Sequence, residues 1–248
     1  MKLGVVCFCN LKPFIAAYEY GALPGPQLVY GPPRELSRLF ASGAVQAAFI
    51  PAFDYLRMKE TVRRVPGFGV ACRGPVASVM LFHRLPFRSL SRIAVDQRSS
   101  TSVAMLDILL KHHFHMDAEL VPADIFALER PEAVLVIGDR ALLPMPGYDA
   151  LDLGEAWFQM TGHAMVFGLF VAAGDSDAQA TLGLLARGLD WAGENIQTIV
   201  ARESARTRIP ADRLADYLTN RILYQLGPRE LAGLAQFEEY TRHAADKS

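Results

Sequence analysis

Three polar groupings in an otherwise apolar chain could do chemistry. Ser78 stands inside "RGPVASVMLFHRLP" (Arg73–Pro86), where Gly74 and Pro75 lead into an apolar run of strand character. A hydroxyl there is either a satisfied core serine or a group that faces a cleft. Asn10 follows the first apolar run, in "FCNLKPF". It reads as a turn former or helix cap, or as an amide facing a cleft at the carboxyl end of a strand. The third grouping is "VDQRSSTSVAML", where a strand ending at Asp96 passes into a helix that starts within Ser99, Ser100, Thr101 and Ser102. Free N–H groups and the dipole at a helix start attract anions. Hydroxyls can add hydrogen bonds to a carboxylate, and Arg98 adds positive charge. An ordinary N-cap would need only one of the four hydroxyls.

Other polar residues read more plainly. Asp139 and Arg140 end a strand in "VIGDRAL", as a loop tie or ion pair or as a polar wall of a site. Asp152 and Glu155 in "LDLGEAW" are a helix cap and a first-turn acid. "KHHFH" (Lys111–His115) is the solvated end of a helix, where basic residues complement the dipole, and not a metal site. Lys12 is a lone lysine in a loop. The chain has no G-x-S-x-G, no P-loop and no H-E-x-x-H. No metal and no cofactor are expected.

Composition narrows the class. The 248 residues are 51% hydrophobic and 21% charged, as in a folded globular protein. A formal net charge of -1 leaves no basic excess for nucleic acid. "MKLGVVCFCN" reads as a first strand and not a signal peptide, because its apolar run is short, its only basic residue is Lys2 and no cleavage motif follows. No run approaches the ~20 apolar residues that span a bilayer. Cys7, Cys9 and Cys72 are an odd number of apolar-embedded thiols, which suits free cysteines in a cytoplasmic protein. Cys7 and Cys9, two apart in a strand, should face one side.

These residues need a scaffold, and the pattern supplies one. Up to Arg73, strands alternate with helices: "KLGVVCF", "QLVYG" and "VQAAFIP" against "PFIAAYEYG", "PPRELSRLFASG" and "AFDYLRMKE". The alternation restarts at "RIAVD", with "AELVPA" and "EAVLVIGD" as strands and "LGEAWFQMTG" as a helix. From Asp175 onward the chain reads as helices only. Such alternation predicts mostly parallel sheets covered by helices. "VASVMLFHR" and "AMVFGLFVA" are expected to carry the chain from one lobe to another and back. The predicted fold class is α/β and two-lobed, with residues 1–86 and 166–248 in lobe one, 87–165 in lobe two, and a ligand cleft between them. In open α/β sheets that cleft lies outside the carboxyl ends of the strands.

Six segments in order also resemble a known family: "CFCNLKPF", "AAFIPAFDYLR", "RGPVASVMLFHRLP", "IAVDQRSSTSVAMLDILL", "AVLVIGDRALL" and "YDALDLGEAWFQMTGHAMVFGLFVA". Over about residues 1 to 172 the chain is similar to the chorismate dehydratases of the futalosine route to menaquinone. The resemblance implies a type II periplasmic-binding-protein-like fold with two crossing strands and a helical C-terminal segment. It implies conversion of chorismate to 3-[(1-carboxyvinyl)oxy]benzoate without cofactor. Asn10 and Ser78 fall on the family's functional asparagine and serine; Asn10 would orient the substrate, and Ser78 would bond the reacting ring or a carboxylate. Thr101 and Ser102 would hold a carboxylate, with Ser99, Ser100, Pro51 and Asp139 completing the expected substrate-binding set. No histidine falls in a matching motif, so the substrate's own side-chain carboxylate is the expected base.

A sister family, the 1,4-dihydroxy-6-naphthoate synthases, is more distantly similar and carries a histidine where this chain has Gly138. The chain also departs from the dehydratases at Ser100, where they usually carry an arginine, and at His163, Ala164 and Met165. A non-catalytic protein binding a small carboxylate is the alternative of another class. The expected partner is a small molecule, chorismate or a related carboxylate, and the sequence sets no oligomeric state.

Overall fold

The computed structural model describes residues 1–96, 99–125 and 127–245. The N-terminal alternation is observed as β1 (Lys2–Val5), α1 (Lys12–Glu19), β2 (Gln27–Tyr30), α2 (Pro33–Ala41), β3 (Ala47–Pro51), α3 (Ala52–Met58) and β4 (Arg63–Cys72). Local chemistry explains the boundaries. α2 opens on prolines, carries Glu35 in its first turn and Arg38 in its last, and stops before Gly43 at φ 75°. β3 is buried at every position, as its unbroken apolar run requires. There follow β5 (Val79–His83), β6 (Arg92–Val95), α4 (Ser100–Leu109), β7 (Glu119–Pro122), β8 (Ala133–Ile137), β9 (Asp149–Asp152) and α5 (Leu153–Thr161). The chain ends with β10 (Met165–Ala172), α6 (Asp175–Thr207), α7 (Ala211–Asp216), β11 (Leu223–Gln225) and α8 (Pro228–Ala245).

The strands form two sheets, β11-β4-β10-β3-β1-β2 and β7-β6-β8-β5-β9. Both are mixed, which corrects the expectation of mostly parallel sheets. β1 is parallel to β2 and β3, but β10 is antiparallel to both β3 and β4. In the second sheet β6 is parallel to β7 and β8, while β5 is antiparallel to β8 and β9. The reason lies in where the chain changes sheet. It crosses at Arg73–Ser78 and returns after Gly162, and β5 and β10 begin where those crossings end. The carboxyl ends of β3 and β8 lie beside these starts, with Pro51 opposite Gly168 and Ile137 opposite Val79. A strand that starts at the junction between the sheets must run against strands that finish there.

Two further differences concern the ends of the chain. β1 stops at Val5, and Cys9–Leu11 form a 3-10 turn, so Cys7 is exposed and Cys9 buried rather than side by side. The tail is not all helix. It leaves α7 through a π turn at Tyr217–Arg221, and β11 then pairs with the edge of β4. An unpaired edge on β4 overrides the helical pattern of "PADRLADYLTNRILYQL". α8 packs across both halves: Trp157 meets Phe237 and Tyr240 with ring centroids 5.8 Å apart in each case, and Lys59 Nζ donates to Glu238 Oε1 at 2.6 Å. Among the described residues no helix is long and apolar enough to cross a membrane.

Candidate functional site

The cleft lies where the sheets meet. Its inner cavity encloses about 560 Å³ of space, part of it open to solvent, and is lined by Asn10, Pro51, Ser78, Ser99, Ser100, Thr101, Ser102 and Gly138 among apolar walls that include Phe8, Phe49 and Phe167. A few polar groups set among apolar walls give it the character of a small-molecule site. Among the described residues the lining has hydroxyls and one amide but no carboxylate, amine or imidazole.

Ser78 is 3% exposed. The bend before it aims its side chain. Ala77 adopts a left-handed φ of 62°, a conformation a β-carbon makes unfavourable. Asp152 holds that bend: its Oδ1 accepts from Val76 N at 3.1 Å and its Oδ2 from Ala77 N at 2.6 Å. The same carboxylate caps α5, with Gly154 N at 2.9 Å and Glu155 N at 3.1 Å. On the other side, Ser78 O accepts from Gly138 N at 2.8 Å.

Asn10 sits in the 3-10 turn between β1 and α1. α1 is entered through Leu11 with no side-chain cap, so Asn10 caps nothing. Its Oδ1 is buried and has no hydrogen-bond partner among the described residues. Tyr217 is the residue that sequence reasoning missed. It is fully buried in the π turn, and the Ser78 and Asn10 side chains act on its hydroxyl as neighbouring polar groups. Burial pushes the phenol above its ordinary range, and those two neighbours partly oppose the push. Nothing in "LADYLTN" marks it, since a tyrosine at helical spacing reads as core.

The hydroxyl cluster divides by role. Ser99 is the N-terminal flanking residue of α4, yet among the described residues no side chain caps that helix. Ser100 Oγ is buried without a partner. Thr101 Oγ1 accepts from Phe53 N, at the start of α3, at 3.1 Å. It thus ties the second sheet's helix to the first sheet's. Ser102 lines the cavity. Arg98 lies outside the described residues. The Lys111–His115 segment ends α4 as a π turn closed by His115 at φ 52°, and the His112 ring meets Tyr240 at a tilt, with centroids 5.2 Å apart. No cluster of metal-binding side chains occurs among the described residues.

Asp139 is not brought to the inner cavity. It lines an adjoining one with Tyr30, Arg140 and Arg206. Its Oδ1 accepts from Cys9 N at 2.8 Å and its Oδ2 from Arg206 at 3.1 Å. Lys12, expected in a loop, opens α1 and is buried, with Nζ 2.6 Å from Glu19 and 3.5 Å from Glu203. Burial, with the charges of Asp139 and Glu203, pushes the Cys9 thiol up. Burial works against the Arg206 charge, but the hydrogen bond and charge of Glu203 outweigh it and hold the guanidinium more firmly protonated.

A cleft between two mixed sheets, crossed twice by the chain and floored by strand ends and a helix N-terminus, defines a protein of the periplasmic-binding-protein fold. Solved structures agree. A protein of Archaeoglobus fulgidus superposes with a TM-score of 0.81 at 15% identity, over 98% of this chain and 97% of that one. The periplasmic aliphatic sulphonate-binding protein of Escherichia coli does so at 0.70 and 14% identity, over 99% and 87%. Within that fold the sequence is more specific. Residues 1–243 match the menaquinone biosynthesis family, and the chain belongs to it. It is 29% identical over 257 aligned positions to the chorismate dehydratase of Thermus thermophilus, covering 96% of this chain and 93% of that protein.

Proposed function

We propose that this protein is a chorismate dehydratase of menaquinone biosynthesis, a hydro-lyase giving 3-[(1-carboxyvinyl)oxy]benzoate and water. The observation that carries the reading is the neutral cavity that joins Asn10, Ser78 and the start of α4, with Asn10 Oδ1 and Ser100 Oγ buried there unpartnered. Buried polar atoms are mostly satisfied in native proteins, and a polar ligand in this cavity would satisfy both. Membership of the family and the match to the Thermus enzyme along nearly the whole chain support it.

The chemistry follows from the donors present. A ring carboxylate sits at the Ser100–Ser102 helix start, where N–H groups and hydroxyls favour an anion. The carbon that loses its proton is conjugated to that carboxylate through a ring double bond. Donors there therefore stabilise the charge that develops as the proton leaves. The described lining offers no base, so the enolpyruvyl carboxylate of the substrate takes the proton. The electron pair left behind becomes the new ring double bond, and the neighbouring hydroxyl departs with that proton as water. Ser78 and Asn10 hold the reacting face in the orientation this intramolecular transfer needs. The buried, unpaired thiols of Cys9 and Cys72 suit a cytoplasmic enzyme.

The test is incubation of the purified protein with chorismate and mass detection of water loss. Ser78→Ala and Asn10→Ala should each lower kcat by on the order of 10²-fold with the fold intact. Near-normal turnover in Ser78→Ala, with only about 1 kcal/mol lost in a thermal melt, would make Ser78 a core serine and overturn its role.

A further inference from the structure

We propose that Asp139 is a positioning residue, which reaches across the cleft from the end of β8 to hold the turn that presents Asn10. The inference rests on the dehydratase reading for its kinetic consequences only. Asn10 gains from such support, because its side-chain oxygen has no hydrogen-bond partner among the described residues. That backbone is anchored one residue earlier. Cys9 N donates to Asp139 Oδ1 at 2.8 Å, and the Cys9 thiol lies 3.6 Å from Arg206 and 3.7 Å from Glu203. Asp139 belongs to the second sheet's turn at Gly138–Leu142, whereas Cys9 follows β1 of the first sheet. One carboxylate therefore sets the distance between the two walls at Asn10.

The far side of that carboxylate is fixed as firmly. Arg206, in the last turn of α6, donates to Asp139 Oδ2 at 3.1 Å and to Glu203 Oε2 at 2.6 Å. Glu203 in turn faces Lys12 and the Tyr20 hydroxyl, each 3.5 Å from its Oε1, and Lys12 also pairs with Glu19. This ionic cluster is only partly buried, with Arg206 about half exposed, and such pairs contribute little stability, so positional specificity is the better account of it. Both Asp139 oxygens point into this cluster. A negative charge there would also repel a dianionic substrate, so a direct substrate contact is the weaker reading.

The experiment compares wild type with Asp139→Ala and Asp139→Asn. Amide hydrogen exchange is read at residues 9–11 against β10 as an internal reference. Exchange at Cys9 should quicken by at least about tenfold in Asp139→Ala and by less in Asp139→Asn, which can still accept from Cys9 N, while β10 is unchanged. Unaltered exchange at Cys9 in both variants overturns the proposal, and this arm reads out whether or not chorismate is the substrate. In the kinetic arm, Asp139→Ala should lower kcat by about 10- to 10²-fold with KM within about threefold. In an Asn10→Ala background the same substitution should cost under about threefold, because the two act as one unit. A full loss in that background, or a loss confined to KM, overturns the positioning role.

Discussion

At the scale of residues, Gly138 shows how tightly the cavity wall is specified. Its φ of 69° is left-handed, and a Cβ there would stand 2.7 Å from the Phe8 ring. A side chain would have to displace Phe8, which lines the inner cavity. Gly138→His, which imports the residue of the sister synthases, should therefore lower stability by about 1–3 kcal/mol and reduce turnover. It should yield no 1,4-dihydroxy-6-naphthoate. A melt and a product assay check both, and normal stability would show that Phe8 yields easily. Much at this scale was legible in the sequence. Asn10, Ser78 and Ser99–Ser102 stood out as polar residues in or beside apolar runs, Pro51 came only with the family resemblance, and the structure gathers them all around one cavity. Asp139 was legible as either a loop tie or a site residue, and only the fold decides where its oxygens point. Tyr217 was not legible, because its hydroxyl meets Ser78 and Asn10 through contacts that no local pattern records.

At the scale of elements, Asp152 links a helix start to a chain crossing. Its role as cap of α5 was readable from "LDLGEAW", because a cap acts within its own segment. Its hold on Val76 and Ala77 was not, since those residues lie far away in sequence. Asp152→Ala removes an acceptor from four backbone N–H groups and leaves Ala77 in a left-handed conformation without support. The expected loss is about 2–4 kcal/mol. Because Ser78 is the next residue, kcat should fall along with the melting temperature. Asp152→Asn keeps an acceptor and should lose less of both. A kcat preserved at temperatures well below the melt would separate the bend from the aim of Ser78.

At the scale of the molecule, the alternation of strands and helices was legible, but the direction of the strands was not. Direction depends on which end of a sheet the chain re-enters, and hydrophobic periodicity is blind to that. β11 was lost for a related reason: a short segment of helical pattern is drawn into the edge of a sheet made by distant residues. α8 then fastens the assembly. Gly233 faces the return crossing so closely that a Cβ would lie 1.9 Å from Ala164 O. Gly233→Ala should push α8 off that crossing, at a cost of about 2–3 kcal/mol and about 5–10 °C in Tm. An unchanged Tm would show that α8 slides along the crossing at no cost.

The place of β10 has a consequence for synthesis. It lies between β3 and β4, and it pairs with β3 from Ala47 to Pro51. As the chain leaves the ribosome, β1, β2 and β3 emerge early, and the edge of β3 stays open until Met165–Ala172 has been made. The second sheet draws only on residues from Val79 to Asp152, so all its strands are out before the older one can close. The newborn N-terminal half is thus the part that waits, an apolar sheet edge of the kind that chaperones cover.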